Sequence, residues 1–241
     1  MILVFVDECG DAKYQDYLGL SLSIINSTYY SHIKNQFKKI LIAAKWDITK
    51  EFKGSYLFSA SKGCAEVTID ERIEIATKIL KLNVAKKNAR MKFSYLTMNS
   101  SNQKSDYLKY LPALLNSVLS RATKGSGKDI ISVFCDSRSD IKPIEIQKAI
   151  SPILTAKKYT LLEQVVMANS DIDTIGILYA DLVGYLSARI DTISNDIELF
   201  ENISEEDLAN NGKIKKLKSS KVLIDIIKQY SAYEVKAESE T

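Results

Sequence analysis

Residues 2–6 form an unbroken run of β-prone apolar side chains, and the residue that follows them is an acid, Asp7. A run without polar interruptions predicts a strand that is buried on both faces, as in the centre of a sheet. Gly10 marks a turn, and residues 17–25 resume the β pattern, so the two strands could form a hairpin. A sheet built around the first strand needs an apolar layer against each of its faces.

Strand and helix patterns alternate along the rest of the chain. Further strands are predicted over residues 91–98, 130–135 and 159–167, and residues 51–63 read as a loop or short strand. Helices are predicted from caps at 26–28 to about 45, from Thr68 or Asp70 to about 80, and from a Ser105 cap to before Gly125. A further helix is predicted over 145–154, with Pro143 and Pro152 bounding it. The last two helices are predicted over 175–190 and around 223–230. This alternation predicts the α/β class, with a mixed β-sheet flanked by helices. We expect one domain over 1–241, in which 192–241 form a C-terminal helical extension.

Composition excludes several classes of protein. The 241 residues are 46% hydrophobic, which is enough for one substantial core. The 33 basic and 30 acidic residues give a net charge of +3, which does not by itself indicate nucleic-acid binding. Three cysteines without paired spacing argue against disulfides and favour a reduced, cytoplasmic setting. No apolar run approaches the ~20 residues of a membrane span, and the first residues lack the features of a signal peptide.

Three carboxylates occupy positions where burial is costly. Asp7 and Asp136 each end an apolar strand, and sites in α/β sheets collect at the carboxyl ends of strands. Asp181 shares a helical face with small and apolar residues that should pack closely on the sheet. Each aspartate alone could be a cap, a turn residue or an ion-pair partner. Together they could be compensated by one or two Mg²⁺ or Mn²⁺ ions, which prefer oxygen ligands and promote phosphodiester cleavage.

Several motifs resemble those of one protein family. The sequence Asp7-Glu8-Cys9-Gly10-Asp11 after a buried strand resembles the opening of the domain of unknown function 3800 family, which commonly reads Asp-Glu-Ser/Thr-Gly-Asp. The segment 51–55, an acid followed by Lys-Gly-Ser, is similar to the second motif of that family. The segment 180–183 is similar to its late Ala-Asp-Leu motif, and Asp136 stands where the family has an aspartate at a strand end.

This resemblance implies a ribonuclease H-like fold with a metal-dependent nuclease site. It implies an acidic cluster that is both catalytic and metal-binding: Asp7, Glu51, Asp136 and Asp181. Glu8 and Asp11 are second candidates, as metal ligands or as turn-formers, and Lys53 could neutralise a phosphate. Two departures from the family pattern leave room for a retuned or degenerate site: Cys9 replaces a hydroxyl residue, and Leu178 replaces a common glutamine.

Basic residues are candidates for substrate contacts. Arg138 could bind a phosphate or form a surface ion pair. Two lysine groups could bind a phosphate backbone or be ordinary solvated faces: Lys34, Lys38, Lys39 and Lys45, and Lys213, Lys215, Lys216, Lys218 and Lys221. The only histidine, His32, is expected on a surface helix, so metal-bound water rather than a histidine base would carry catalysis.

Three functions remain open at this stage. The first is a divalent-metal nuclease acting on DNA or RNA. The second is a non-catalytic module that binds nucleic acid or protein, for which the family resemblance suggests a bacterial defence or mobile-element system. The third is phosphoryl transfer to a small nucleotide, which would need a closed pocket. The last helix could pack on the core or on a second copy, so a homodimer or another protein partner is possible, whereas a membrane partner is not expected.

Overall fold

The computed structural model describes residues 1–9, 17–59, 62–82, 92–120, 129–188, 218–219, 221–226 and 232–234. Its strands are β1 (Ile2–Cys9), β2 (Tyr17–Asn26), β3 (Lys92–Asn99), β4 (Asp129–Asp136), β5 (Tyr159–Leu161), β6 (Val166–Ala168) and β7 (Ala232–Glu234). Its helices are α1 (Ser27–Ala43), the short 3-10 helix Gly54–Tyr56, α2 (Ile69–Lys81), α3 (Gln103–Leu119), α4 (Pro143–Ala156) and α5 (Ile175–Ser187). Residues 221–226 are also helical.

The strands form one mixed sheet in the order β5-β4-β1-β2-β3-β7, and β6 also pairs with β4. β2 is antiparallel to β1 and to β3, whereas β4 is parallel to β1 and to β5. The predicted hairpin between the first two strands is therefore confirmed, as is the central place of the first strand. α1 and α2 stand in the connection between β2 and β3, which are neighbours in the sheet.

Helices cover the two faces of this sheet in two separate cores. Leu3 and Phe5 of β1 belong to the core beneath α1, α2 and α5, whereas Val4 and Val6 belong to the core beneath α3 and α4. This division follows from the alternation of side chains along a strand. The predicted α/β class, a mixed sheet flanked by α-helices, is confirmed. Among the described residues, no helix has the length and apolar character needed to cross a membrane.

α5 lies unusually close to the sheet. A Cβ added to Gly176 would stand 2.1 Å from the ring of Phe5, and one added to Gly184 would stand 2.8 Å from the hydroxyl of Ser21. The same hydroxyl donates a 2.7 Å hydrogen bond to the carbonyl of Ala180. Because a buried hydroxyl without a partner is costly, this contact both satisfies Ser21 and fixes the height of the helix above the sheet.

Four predicted boundaries need correction. β1 continues beyond Asp7, because its pairing with β2 extends as far as Cys9. α3 is capped by Asn102, whose side chain accepts from the N–H of Ser105, so Ser105 lies inside the helix instead of capping it. α4 runs through Pro152, which is exposed, so the hydrogen bond that proline removes is lost on the solvent side. The strand predicted over 159–167 is divided by a bend at 162–164 into β5 and β6.

The C-terminal extension predicted over 192–241 falls mostly outside the described residues. The described parts of it are helical at 218–219 and 221–226 and extended in β7, which pairs with β3. Leu223 and Ile226, two residues of the predicted apolar stripe, are buried in the core beneath α5. The extent of the domain and its extension stay predictions.

Candidate active site

Two neighbouring strands carry an aromatic pair and then an acidic pair on the same face. Phe5 of β1 stacks on Phe134 of β4 with ring centroids 5.1 Å apart. Asp7 and Asp136 lie two residues further along these parallel strands, which places both carboxylates on the α5 face. The two side chains interact, and this interaction lowers the pKa of Asp136 against the effect of burial. The strands therefore bring the first two predicted acids together.

α5 brings Asp181 to the same place. The carboxylate Oδ2 of Asp181 accepts a 2.5 Å hydrogen bond from the backbone N–H of Gly54. Gly54 approaches the helix so closely that an added Cβ would stand 2.4 Å from the Cβ of Tyr185. The absence of a side chain at position 54 is what allows the Lys-Gly-Ser segment to hydrogen-bond to this aspartate.

Glu51 and Lys53 lie in the loop just before Gly54 and form an ion pair. The ammonium Nζ of Lys53 is 2.9 Å from Oε2 of Glu51, and the two side chains are 31% and 34% exposed. Burial lowers the pKa of Lys53, but the hydrogen bond to Glu51 and the charges of Asp181 and Asp136 outweigh it and leave that pKa raised. Lys53 is thus paired with Glu51, and the charges of two further predicted acids act on it.

The carboxyl groups of this site are difficult to ionise together. Burial raises the pKa of Asp7 well above its usual range, and Asp181, Asp136 and Glu8 raise it further. Burial also raises the pKa of Asp181 to about 6, although the Gly54 N–H and Lys53 oppose the shift. The pKa of Asp136 is raised by burial as well. A bound cation would offset the repulsion between these carboxylates and favour their ionised forms.

The acids are close but do not form a ready-made metal shell. Within the described ranges, no three His, Cys, Asp or Glu side chains are placed so that they could hold a metal ion together. Asp181 is engaged by Gly54, and Glu51 is engaged by Lys53. The donor set, which consists of carboxylate oxygens, fits the preference of Mg²⁺ and Mn²⁺, but these acids would have to exchange partners to bind one. Asp11 lies outside the described residues.

Glu8 and Arg138 lie on the opposite face of the sheet from Asp7. The guanidinium of Arg138 makes hydrogen bonds of 2.9 and 2.8 Å to Asp140 and stands 3.3 Å from Glu8. It also lies over the ring of Tyr107 in α3, 5.1 Å from the centroid. The Arg138 side chain is 9% exposed, and burial raises the pKa of Glu8 to about 7 against the effect of Arg138. These two residues are therefore engaged with each other beneath α3.

Cys9, which departs from the family pattern, lies on the same face as Asp7. Burial raises the pKa of its thiol, and the charges of Asp7 and Asp181 raise it further. The thiol therefore stays protonated, and its sulfur packs near Gly19 and Gly184. His32 is exposed on α1, in agreement with its predicted surface position.

Sequence reasoning missed Arg72, which shapes the segment after Gly54. This arginine is 1% exposed, and its guanidinium donates to four backbone carbonyls. The acceptors and distances are Val67 at 2.9 Å, Tyr56 at 2.7 Å, Ser59 at 2.5 Å and Cys64 at 2.6 Å. The signal was present in the sequence, because Arg72 shares a helical face with Ile75, Ala76 and Ile79, where a charged residue is out of place.

Fold and site together define an α/β protein with a mixed sheet flanked by helices and with carboxylates on two adjacent strands. No protein-family model and no curated protein matches the sequence. Among solved structures, the chain is similar to one described as the PCNA:RNase HII complex from Archaeoglobus fulgidus, with 12% identity, a TM-score of 0.43, and coverage of 82% of this chain and 76% of that chain. A similarity at this level carries no argument about activity, which must come from the residues of the site.

Proposed function

We propose that this chain is a divalent-metal-dependent nuclease that hydrolyses phosphodiester bonds in nucleic acid. The observation that carries the proposal is the convergence of Asp7, Asp136 and Asp181, from β1, β4 and α5, on one face of the sheet. Burying carboxylates without enough cations to balance their charge costs stability. Such an arrangement is kept when a bound cationic ligand restores that stability.

In this proposal, Asp7, Asp136 and Asp181 hold Mg²⁺ or Mn²⁺, and Glu51 completes the set. Asp11, which follows β1, is a further candidate ligand. The ion would stabilise the negative charge that develops on the phosphate oxygens during hydrolysis. Lys53 stands beside the acids with its ammonium available to a phosphate oxygen once Glu51 is turned away. The buried Asp7 and the partly buried Asp136 and Asp181 would position the ion, and the Lys53–Glu51 pair would face the substrate.

Glu8 and Arg138 have a supporting role in this proposal. A phosphate contact by Arg138 would require its hydrogen bonds to Asp140 to open, and a metal contact by Glu8 would require β1 to rotate. We therefore assign the phosphate contact to Lys53, and we assign Glu8 and Arg138 to holding the ends of β1 and β4 together.

Membership of the domain of unknown function 3800 family belongs to the same proposal. Its support is spatial: the segments that resemble the three family motifs are far apart in sequence, yet Asp7, Gly54 and Asp181 belong to one site. A cytoplasmic setting, a nucleic-acid substrate of either kind, and a homodimeric or other protein partner are further parts of the proposal.

Calorimetric titration of Mn²⁺ into the wild type, Asp7→Asn and Asp181→Asn tests the assignment. We expect the wild type to bind Mn²⁺ and both variants to lose binding and any cleavage of labelled DNA or RNA. Asp173→Asn is the matched control, because Asp173 is an exposed acid paired with Lys34 and Lys38. Cleavage at the wild-type rate by both site variants would rule out this assignment.

A second candidate is a non-catalytic module that binds nucleic acid or a protein, as in a defence or mobile-element system. The observation that favours it is that no three ligand side chains stand ready for a metal in the part of the chain that is described. Such a module would bind an oligonucleotide or partner without Mn²⁺ and would show no heat of Mn²⁺ binding.

A further inference from the structure

The ammonium of Lys53 places a positive charge beside the carboxylates of the acidic site. This ammonium is 2.9 Å from Glu51, and its charge also acts on Asp181 and Asp136. The next residue, Gly54, donates its N–H to Asp181, so the backbone that carries Lys53 is attached directly to the site. The lysine is two-thirds enclosed, with 31% of its side chain exposed.

We propose that Lys53 is the internal counter-ion of the acidic site and that an arriving divalent cation takes Glu51 away from it. The second half of this inference rests on the proposed function. The first half concerns the metal-free protein and stands on the ion pair alone.

The exchange follows from the geometry of the pair. A metal ion held by Glu51 would lie close to the ammonium of Lys53, and two cations near one carboxylate repel each other. Metal binding therefore breaks the Lys53–Glu51 pair and releases the ammonium toward the exposed side of the site. Since a phosphate is the next anion to arrive there, binding of the metal and binding of a phosphodiester would reinforce each other through Lys53.

The metal-free half is tested by a double-mutant cycle in thermal unfolding. Lys53→Met keeps most of the unbranched stem of the side chain and removes its charge, and Glu51→Gln removes the charge of its partner. We expect Lys53→Met to lower the unfolding temperature at pH 7.5 and to have a smaller effect in the Glu51→Gln background. Equal effects in both backgrounds would overturn the counter-ion role.

Lys38→Met is the control for a general effect of removing a lysine. Lys38 lies on α1, is 32% exposed and is paired at 3.2 Å with Asp173, so it matches Lys53 in side-chain exposure and in having an acidic partner, although Asp173 is itself 70% exposed and also pairs with Lys34. Its effect on unfolding should be the same with or without Glu51→Gln.

Mn²⁺ titration tests the exchange. We expect Lys53→Met to bind Mn²⁺ roughly three- to tenfold more tightly than the wild type, since no internal cation has to be displaced. Lys38→Met should bind as the wild type does. Equal or weaker Mn²⁺ binding by Lys53→Met would overturn the exchange. Absence of Mn²⁺ binding in the wild type would overturn the proposed function and the exchange together, while the unfolding cycle would still decide the counter-ion role.

Discussion

Asp181 is enclosed by α5, the Gly54 segment and the sheet, and its charge is opposed by Asp136 and Glu51. Burial raises the pKa of this carboxyl to about 6 from an ordinary value of 3.8. The ionised form is therefore the unfavourable one in the folded state. Its penalty is absent below the ordinary pKa and is complete once the pH has risen past about 6.

Asp181→Asn should stabilise the metal-free protein at neutral pH. The amide removes the charge, and its carbonyl oxygen can still accept the hydrogen bond from Gly54. We expect a gain on the order of 1–3 kcal/mol in the free energy of unfolding at pH 7.5, which disappears near pH 4. Chemical denaturation at the two pH values measures it, and a loss of stability at pH 7.5 would contradict it. Asp173→Asn should not gain stability, because Lys34 and Lys38 hold the pKa of Asp173 below its usual range.

At the scale of elements, the segment between α1 and α2 is organised by one side chain. The guanidinium of Arg72 donates hydrogen bonds to backbone carbonyls on both sides of residues 60–61, and it lies 5.7 Å from the ring centroid of Trp46. The 3-10 helix Gly54–Tyr56 lies within this segment and contacts α5. Arg72 therefore acts on the site through the backbone that carries Lys53 and Gly54.

Arg72→Met should loosen this segment more than the rest of the protein. It leaves buried carbonyls unsatisfied, at a cost of about 1–3 kcal/mol for each that cannot find a new partner. We expect faster hydrogen exchange over 51–68 and weaker Mn²⁺ binding, with little change in exchange over α3. Arg72→Lys, which can form at most three of the four hydrogen bonds from a single nitrogen, should recover part of the loss. Unchanged exchange over 51–68 would show that another contact holds the segment.

How far sequence could predict the site depends on the kind of contact. The strand period alone places Asp7 and Asp136 on one face, because they follow Phe5 and Phe134 by two residues. The same period places Glu8 on the other face of the sheet. The prediction that Glu8 is a metal ligand beside Asp7 overlooked this consequence. The hydrogen bond between Gly54 and Asp181 could not be derived, because it depends on how α5 lies over the sheet and no local pattern encodes that position.

At the scale of the whole molecule, the lysines differ in what surrounds them. Lys34 and Lys38 on α1 are paired with Asp173, which reduces their attraction for a phosphate backbone. Lys218 and Lys221 are exposed near the C-terminal end of the chain. These described members of the two predicted basic groups are thus not equivalent, and Lys213, Lys215 and Lys216 lie outside the described residues.

Replacing Lys218 and Lys221 with alanine should weaken nucleic-acid binding and reduce its salt dependence. Each lost duplex phosphate contact lowers the slope of log K against log salt by about 0.9. The matched replacement of Lys34 and Lys38 should change the slope less, because those lysines are already paired. Fluorescence anisotropy with a labelled oligonucleotide over a series of salt concentrations measures both. A larger effect from the α1 pair would move the proposed interface to α1.

The hydrogen bond from Gly54 to Asp181 joins residues that are 127 positions apart in the chain. During translation, Asp7 and Glu51 leave the ribosome well before α5 has been made. A nascent or prematurely terminated chain that lacks α5 has no Asp181 and leaves this face of β1 uncovered. If the proposed hydrolysis depends on the complete set of acids, it is therefore withheld until synthesis has passed α5.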